Sequence, residues 1–202
     1  MIDLVYFSHI ILQDNYFLDD NLMNKDPNQL MTRSTLVHPK DAVNAAITRL
    51  AGYISSALQD SSPLVLTVMN GGLYFAGQLL PQLNFPLETD YLQASRYNGE
   101  TTGQDVKWGR PPTDNLKGRI ILLLDDILDE GHTLAAIRDK CLALGAADVK
   151  IAVLVEKALD KVKPIRADFV GLQVPNRYVF GCGMDVYGWW RNLPEIRALK
   201  DC

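Results

Sequence analysis

Three carboxylates, Asp125, Asp126 and Asp129, fall within five residues directly after the aliphatic run 120–124, and Gly131 and Thr133 follow them. A glycine and a short hydroxyl residue at the opening of a helical pattern leave backbone amides where a phosphate can sit. Two adjacent acids suit the hydroxyls of a sugar or a hydrated cation. Acids beside an anion site repel each other and the anion, so the arrangement makes sense where the ligand brings its own cation or hydroxyls. The plainer reading is a strand, an acidic turn and an Asp cap. The whole pattern, with acids, glycine and hydroxyl in this order, describes a phosphosugar site.

Two further clusters carry chemistry less clearly. Asn70-Gly71-Gly72 follows an apolar segment, and paired glycines allow unusual backbone angles and close approach to an anion. Taken alone, it reads as a turn that opens a helix. Lys157 ends a second apolar run and Tyr178 opens a short one. Such a lysine usually snorkels to the surface and such a tyrosine usually packs in the core. Trp189 and Trp190 read as apolar packing. Residues 96–115 hold three glycines and two prolines with little apolar pattern. A connection of that length is a functional lid or a disordered segment.

These groups need elements to hold them. Residues 120–124 are apolar without alternation, as in a strand buried on both faces of a parallel sheet. A helix over about 133–144, stopped by Gly145, and a strand over 149–155 complete a βαβ unit. Pro39 suits a helix start. Val43, Ala46, Ile47, Leu50 and Ile54 keep helical spacing to about Leu58. Strands are expected at 64–69, 87–93, 169–174 and 178–181, with an apolar segment from Gly71 through Leu80. The class is α/β with a mainly parallel sheet, and ligands are expected beyond its C-terminal strand ends. Residues 1–34 have weak periodicity and read as a leader or extension, with Met23 and Met31 as alternative starts. The main domain is then 35–202.

Composition narrows the function. The chain has 202 residues, 48% of them hydrophobic, enough for one sizeable core. A net charge of −4 and a pI of about 5.3 argue against a nucleic-acid binder. Cys141, Cys182 and Cys202 have no metal or redox spacing and suit reduced thiols. No apolar run can span a bilayer, and Leu4 to Leu12 lacks the basic flank of a signal peptide. The expected compartment is the cytoplasm.

The segment from Asp125 to Leu134 resembles the phosphoribosyl-diphosphate (PRPP) motif of type I phosphoribosyltransferases, and is especially similar to their bacterial hypoxanthine-guanine branch. The resemblance runs from about Leu36 to Leu193. It implies the type I phosphoribosyltransferase fold, with a small hood from the terminal segments. It also implies that Asp125 and Asp126 hold the ribose hydroxyls, and that Glu130, Gly131, His132 and Thr133 cradle the 5′-phosphate. Asp129 is the implied catalytic carboxylate near purine N7, in a general-base role. His132 stands where many relatives carry Lys or Arg, and Glu130 where Asn, Ser or Thr is common. Asn70 and Gly71 match a pyrophosphate loop, with a cis peptide expected between them. Asn70 replaces a basic residue found in some members.

The same likeness assigns Lys157 to the purine 6-oxo group, Tyr178 to stacking, and the backbone of Val179 to the purine edge. Asp185 matches an acid that helps organise both the purine edge and Mg²⁺, the metal directly or through water, with Asp125 and Asp126 reaching the metal indirectly through ribose. Arg191 matches a pyrophosphate-binding arginine. Arg96-Tyr97 stands where relatives place a Ser-Tyr pair of the lid. The implied reaction joins PRPP to hypoxanthine or guanine in purine salvage, with Mg²⁺ as cofactor, in a homodimer or homotetramer without nucleic-acid or membrane partners. Its rivals are a non-catalytic regulator of the same fold that binds RNA or a partner, a transferase for xanthine or a pyrimidine, and a receiver-type α/β domain.

Overall fold

The computed structural model describes residues 26–96 and 106–200. Its centre is a six-stranded sheet in the order β4-β3-β2-β5-β6-β7. These strands are β2 (Leu64–Met69), β3 (Glu88–Arg96), β4 (Val106–Arg110), β5 (Ile120–Leu128), β6 (Asp148–Lys157) and β7 (Phe169–Val174). All neighbours are parallel except β3 and β4.

The run in β5 is apolar throughout because both faces are covered. Leu122 and Leu124 belong to one core with α2 (Lys40–Leu58) and α3 (Gly72–Leu79). Ile121 and Leu123 belong to another with Leu134, Ile137 and Cys141 of α4 (His132–Ala143). All four of these β5 side chains are fully buried. Each contributes about 1.5–3 kcal/mol by leaving water. The strand alternation thus anchors helices on both sides, and two of them, α3 and α4, begin at the site. In α2 the buried stripe is Val43, Ala46, Ile47, Leu50, Ala51, Ile54 and Leu58, with Pro39 at the N-cap.

A second sheet, of three antiparallel strands, forms the hood: β1 (Ser34–His38), β9 (Ile196–Leu199) and β8 (Val179–Phe180), in that order. It joins the two ends of the described chain, with Ser34 opposite Leu199. Helix α1 (Pro27–Thr32) packs beneath it through Leu30, which shares a core with Phe180, Val186 and Leu199.

The strands expected at 64–69 and 169–174 form at those bounds. Other expectations shift. β5 does not end at Leu124 but runs through both acids to Leu128, because its pairing with β6 continues to Leu128 opposite Glu156. The strand expected at 87–93 extends to Arg96, and the long connection after it contains β4, paired back on β3. The late strand shortens to Val179–Phe180. Helix α4 begins one residue early, at His132. Residues 27–34, part of the expected leader, form α1 and the start of β1. The cis peptide lies between Met69 and Asn70, one bond before the place the resemblance implies, where the chain leaves β2. Tyr97 and the rest of residues 97–105, part of the connection expected to be a lid, lie outside the described residues, as does the Arg96 side chain.

Candidate functional site

The parallel strands β2, β5 and β6 end on one side of the sheet, and the acidic turn lies there. Asp125 and Asp126 are both buried, and the Asp126 amide donates to Asp125 Oδ1 at 2.9 Å. Burial, then the Asp126 charge, pushes the Asp125 carboxyl well above its usual range. Burial also raises Asp126, against the opposing pull of its hydrogen bond with Asp125 and of Arg191. Two desolvated, adjacent acids resist ionising together, and a ligand that supplies hydroxyl donors or positive charge relieves that cost.

Gly71 closes on this pair. A Cβ at Gly71 would lie 2.2 Å from Asp126 Oδ2, and one at Gly183 would lie 2.1 Å from the Gly71 carbonyl oxygen. Three chain segments, remote in sequence, therefore stack with no room for a side chain. Gly72 opens α3 equally tightly, its absent Cβ 2.8 Å from the Leu124 carbonyl. Asn70 sits between the cis bond and this stack.

The turn after β5 ends at Gly131, with φ of +88°, which favours glycine over residues bearing a side chain. Gly131 is the N-cap of α4, and no side chain caps the helix there. Its first amides, at His132 and Thr133, face the dipole-positive end where anions bind. Glu130 pairs with Lys161 on the connection after β6.

Register brings Asp129 and Lys157 together. Leu128 is the last β5 residue and lies opposite Glu156, so the next residue on each strand meets at the rim. Lys157 Nζ donates to Asp129 Oδ2 at 2.6 Å. The lysine side chain is 13% exposed and the aspartate 44%, leaving the carboxylate side of the pair open to a ligand. Lys163 lies behind them, its ammonium donating to the carbonyls of Lys157 and Leu128 and to Glu156.

The hood carries the remaining groups. Arg191 pairs with Asp185 at 2.6 Å and donates to the Gly183 carbonyl at 2.8 Å. Asp185 also accepts from the Gly188 amide at 2.8 Å. The Tyr178 ring lies 5.9 Å from that of Tyr187 and is tilted by 33°. Burial, and then Asp185, raises the Tyr178 hydroxyl above its usual range. Val179 is buried in β8.

The fold thus gathers Asn70, Gly71, Asp125, Asp126, Asp129, Gly131 and Thr133 at the strand ends, with Lys157 beside them. Arg191 reaches this group through Gly183. Sequence reasoning passed over Gly183 and Lys163. The positive φ of Gly183 (+108°) has no local sequence signature, and Lys163 looks like any lysine in a charged loop.

Residues 36–187 match the family model described as Phosphoribosyl transferase domain. The chain is 33% identical over 162 residues to the hypoxanthine-guanine phosphoribosyltransferase of Bacillus subtilis, covering 80% of this chain and 90% of that one. It is 30% identical over 167 residues to the hypoxanthine-guanine-xanthine phosphoribosyltransferase of Tritrichomonas foetus, covering 82% and 91%. Among solved structures, a hypoxanthine phosphoribosyltransferase from Staphylococcus aureus superposes with a TM-score of 0.79 at 23% identity, over 88% of this chain and 96% of that one.

Proposed function

The chain belongs to the phosphoribosyltransferase family, and from that premise we propose that it transfers phosphoribosyl from PRPP to N9 of hypoxanthine or guanine, releasing pyrophosphate. The observation that carries this reading is the pairing of Lys157 with Asp129 beside the buried Asp125–Asp126 acids. One edge of a 6-oxopurine presents an acceptor, O6, next to a donor, N7–H. A lysine beside a carboxylate presents the complementary order. Adenine would set an amino donor against the ammonium, and a buried donor without an acceptor is strongly disfavoured.

Asp125 and Asp126 accept from the ribose hydroxyls, which offsets the cost of their burial. The uncapped start of α4, with Gly131, His132 and Thr133, and the adjoining Glu130 backbone hold the 5′-phosphate. The bond from the anomeric carbon to pyrophosphate breaks, its electron pair leaving with the pyrophosphate. N9 forms the new bond, and Asp129 accepts the proton released from N7. Arg191 and the Gly71 amide stabilise the departing charge. Tyr178 stacks on the base, and the Val179 backbone meets its edge. Arg96 and Tyr97 belong to the lid that keeps water from the sugar.

Among the described residues no cluster of three or more His, Cys, Asp or Glu could hold a metal unaided. The donors fit Mg²⁺, which binds through one or two carboxylates and takes its other ligands from water and substrate oxygens. Asp185 would hold it, with Asp125 and Asp126 acting through the ribose, and it would neutralise the diphosphate. A homodimer or homotetramer in the cytoplasm is part of the same proposal. The buried free thiols of Cys141 and Cys182 accord with a reducing compartment, and none of the described helices is long and apolar enough to cross a membrane.

The test is pyrophosphate release with PRPP and Mg²⁺, comparing hypoxanthine, guanine, xanthine and adenine, beside Asp129→Asn. Turnover of the first two, with a loss of about 10²-fold or more in the variant, is expected. No turnover of any base by folded protein that still binds PRPP would overturn the reading in favour of a non-catalytic regulator.

A further inference from the structure

We propose that Lys163 is a positioning residue of this reaction, holding Lys157 and Asp129 as the pair that reads the base. The inference rests on the function proposed above and deepens it. Lys163 lies in the connection between β6 and β7, six residues beyond Lys157, and its side chain is only 9% exposed. Burying an ammonium costs several kcal/mol unless partners surround it. Here all three of its protons have protein acceptors: the Lys157 carbonyl at 2.7 Å, the Leu128 carbonyl at 3.1 Å and Glu156 Oε1 at 3.2 Å. An ammonium so occupied has no donor left for substrate. Its effect must pass through what it holds.

What it holds is the root of the base-reading pair. The β5–β6 ladder ends with Leu128 opposite Glu156. At that point the Lys163 ammonium bridges the two chains, one acceptor being the carbonyl just before Asp129 and the other the carbonyl of Lys157 itself. Glu156 is fixed in turn by Gln173 of β7, whose Nε2 donates at 2.9 Å. Three neighbouring strands are therefore tied at their C-terminal ends by one charge network. The same connection continues onto the phosphate turn. Lys161 pairs with Glu130, and a Cβ at Gly131 would lie only 3.1 Å from Ile165 Cγ2. Without the Lys163 ammonium two carbonyls and a carboxylate lose their shared donor, the strand ends are free to separate, and the 2.6 Å contact of Lys157 with Asp129 loses its support. Misplacing such a pair by about 1 Å costs on the order of 10²-fold in rate.

The experiment is a double-mutant cycle on the full chain with Lys163→Met and Lys157→Met, read as kcat and KM for hypoxanthine and for PRPP. Wild-type turnover is measured first, so that its absence, which overturns the proposed function and with it this inference, is distinguished from failure of this inference alone. With the wild type active, Lys163→Met is expected to lower kcat/KM for the base by about 10-fold or more while KM for PRPP changes less than about threefold. The double variant should fall short of the product of the single losses by at least about fivefold, because Lys163 acts through a residue already removed. Losses that multiply independently, or a base kcat/KM within about twofold of wild type, would overturn the inference. Should Lys163→Met not fold, Lys163→Arg carries the same cycle. It keeps the charge for Glu156, but its planar fork does not match three acceptors set around a compact ammonium. A base KM and kcat unchanged in that variant would equally overturn the assignment.

Discussion

Adding one methyl group at Gly71 tests whether the site depends on the close approach of the loop proposed to bind pyrophosphate to the buried acids. Gly71 has φ of −61° and ψ of −50°, a conformation open to alanine, so Gly71→Ala carries no backbone penalty and isolates packing. The new Cβ would stand 2.2 Å from Asp126 Oδ2 and 2.6 Å from its Cγ, where ordinary contact begins at 3.4 Å. A gap of about 1.2 Å must therefore be made up. One way is rotation of Asp126, which takes its carboxylate away from the position proposed for the ribose hydroxyls. The other is withdrawal of the loop, which the Gly183 segment resists because it already touches the Gly71 carbonyl. Overpacking of this kind costs about 1–3 kcal/mol. In a domain of this size it lowers Tm by roughly 2–4 °C for each kcal/mol. Displacing Asp126 by about 1 Å should lower kcat/KM for PRPP on the order of 10²-fold. Initial rates against PRPP at saturating base, with a thermal melt of the same preparation, measure both. An alanine variant with kcat/KM and Tm both at wild-type values would refute the stacking argument.

Four further outcomes are expected. Asp125→Asn should abolish turnover yet raise the Tm of the ligand-free protein at pH 7, because it removes a desolvated acid whose ionisation beside Asp126 is disfavoured; a lowered Tm would contradict this. The raised carboxyls also set a pH dependence. Between about pH 4 and the folded-state value the native protein binds more protons than the unfolded chain, so this pair's stabilisation is full below that window and lost as pH rises through it, a slope that calorimetry should find flattened in Asp125→Asn. Burial pushes the Cys141 thiol up to about 11 and the Cys182 thiol up to about 12, so peptide mapping should find both unalkylated in native protein at pH 8 and modified in guanidinium. A chain starting at Met31 should melt several degrees below one starting at Met23, because it lacks Leu30 and the Pro27 carbonyl that accepts from Trp190 Nε1 at 2.8 Å. Equal melting of the two would show that α1 contributes nothing to the hood.

Much of this protein is legible along the chain because its information is local. The acids, Gly131 and Thr133 all fall within residues 125–133, and their order alone describes a phosphosugar site. The strands at 64–69 and 169–174 and the stripe of α2 follow from apolar spacing, since burial on one face or two leaves its period in the sequence. What stayed hidden depends on partners far away in the chain. β1 and β9 are short and weakly patterned, and they exist because residues 34 and 199 lie side by side. β4 sits in polar sequence and is drawn into a strand by β3. β5 passes through two acids because β6 keeps pairing with it, so backbone hydrogen bonds override side-chain preference. Sequence could name Asp129 and Lys157 but could not place them 2.6 Å apart, nor set Gly183 on Gly71 or Lys163 behind the strand ends. Residue type and spacing determine which chemistry is possible. Which groups meet is decided by register and packing, because those distances are set across the sheet and not along the chain.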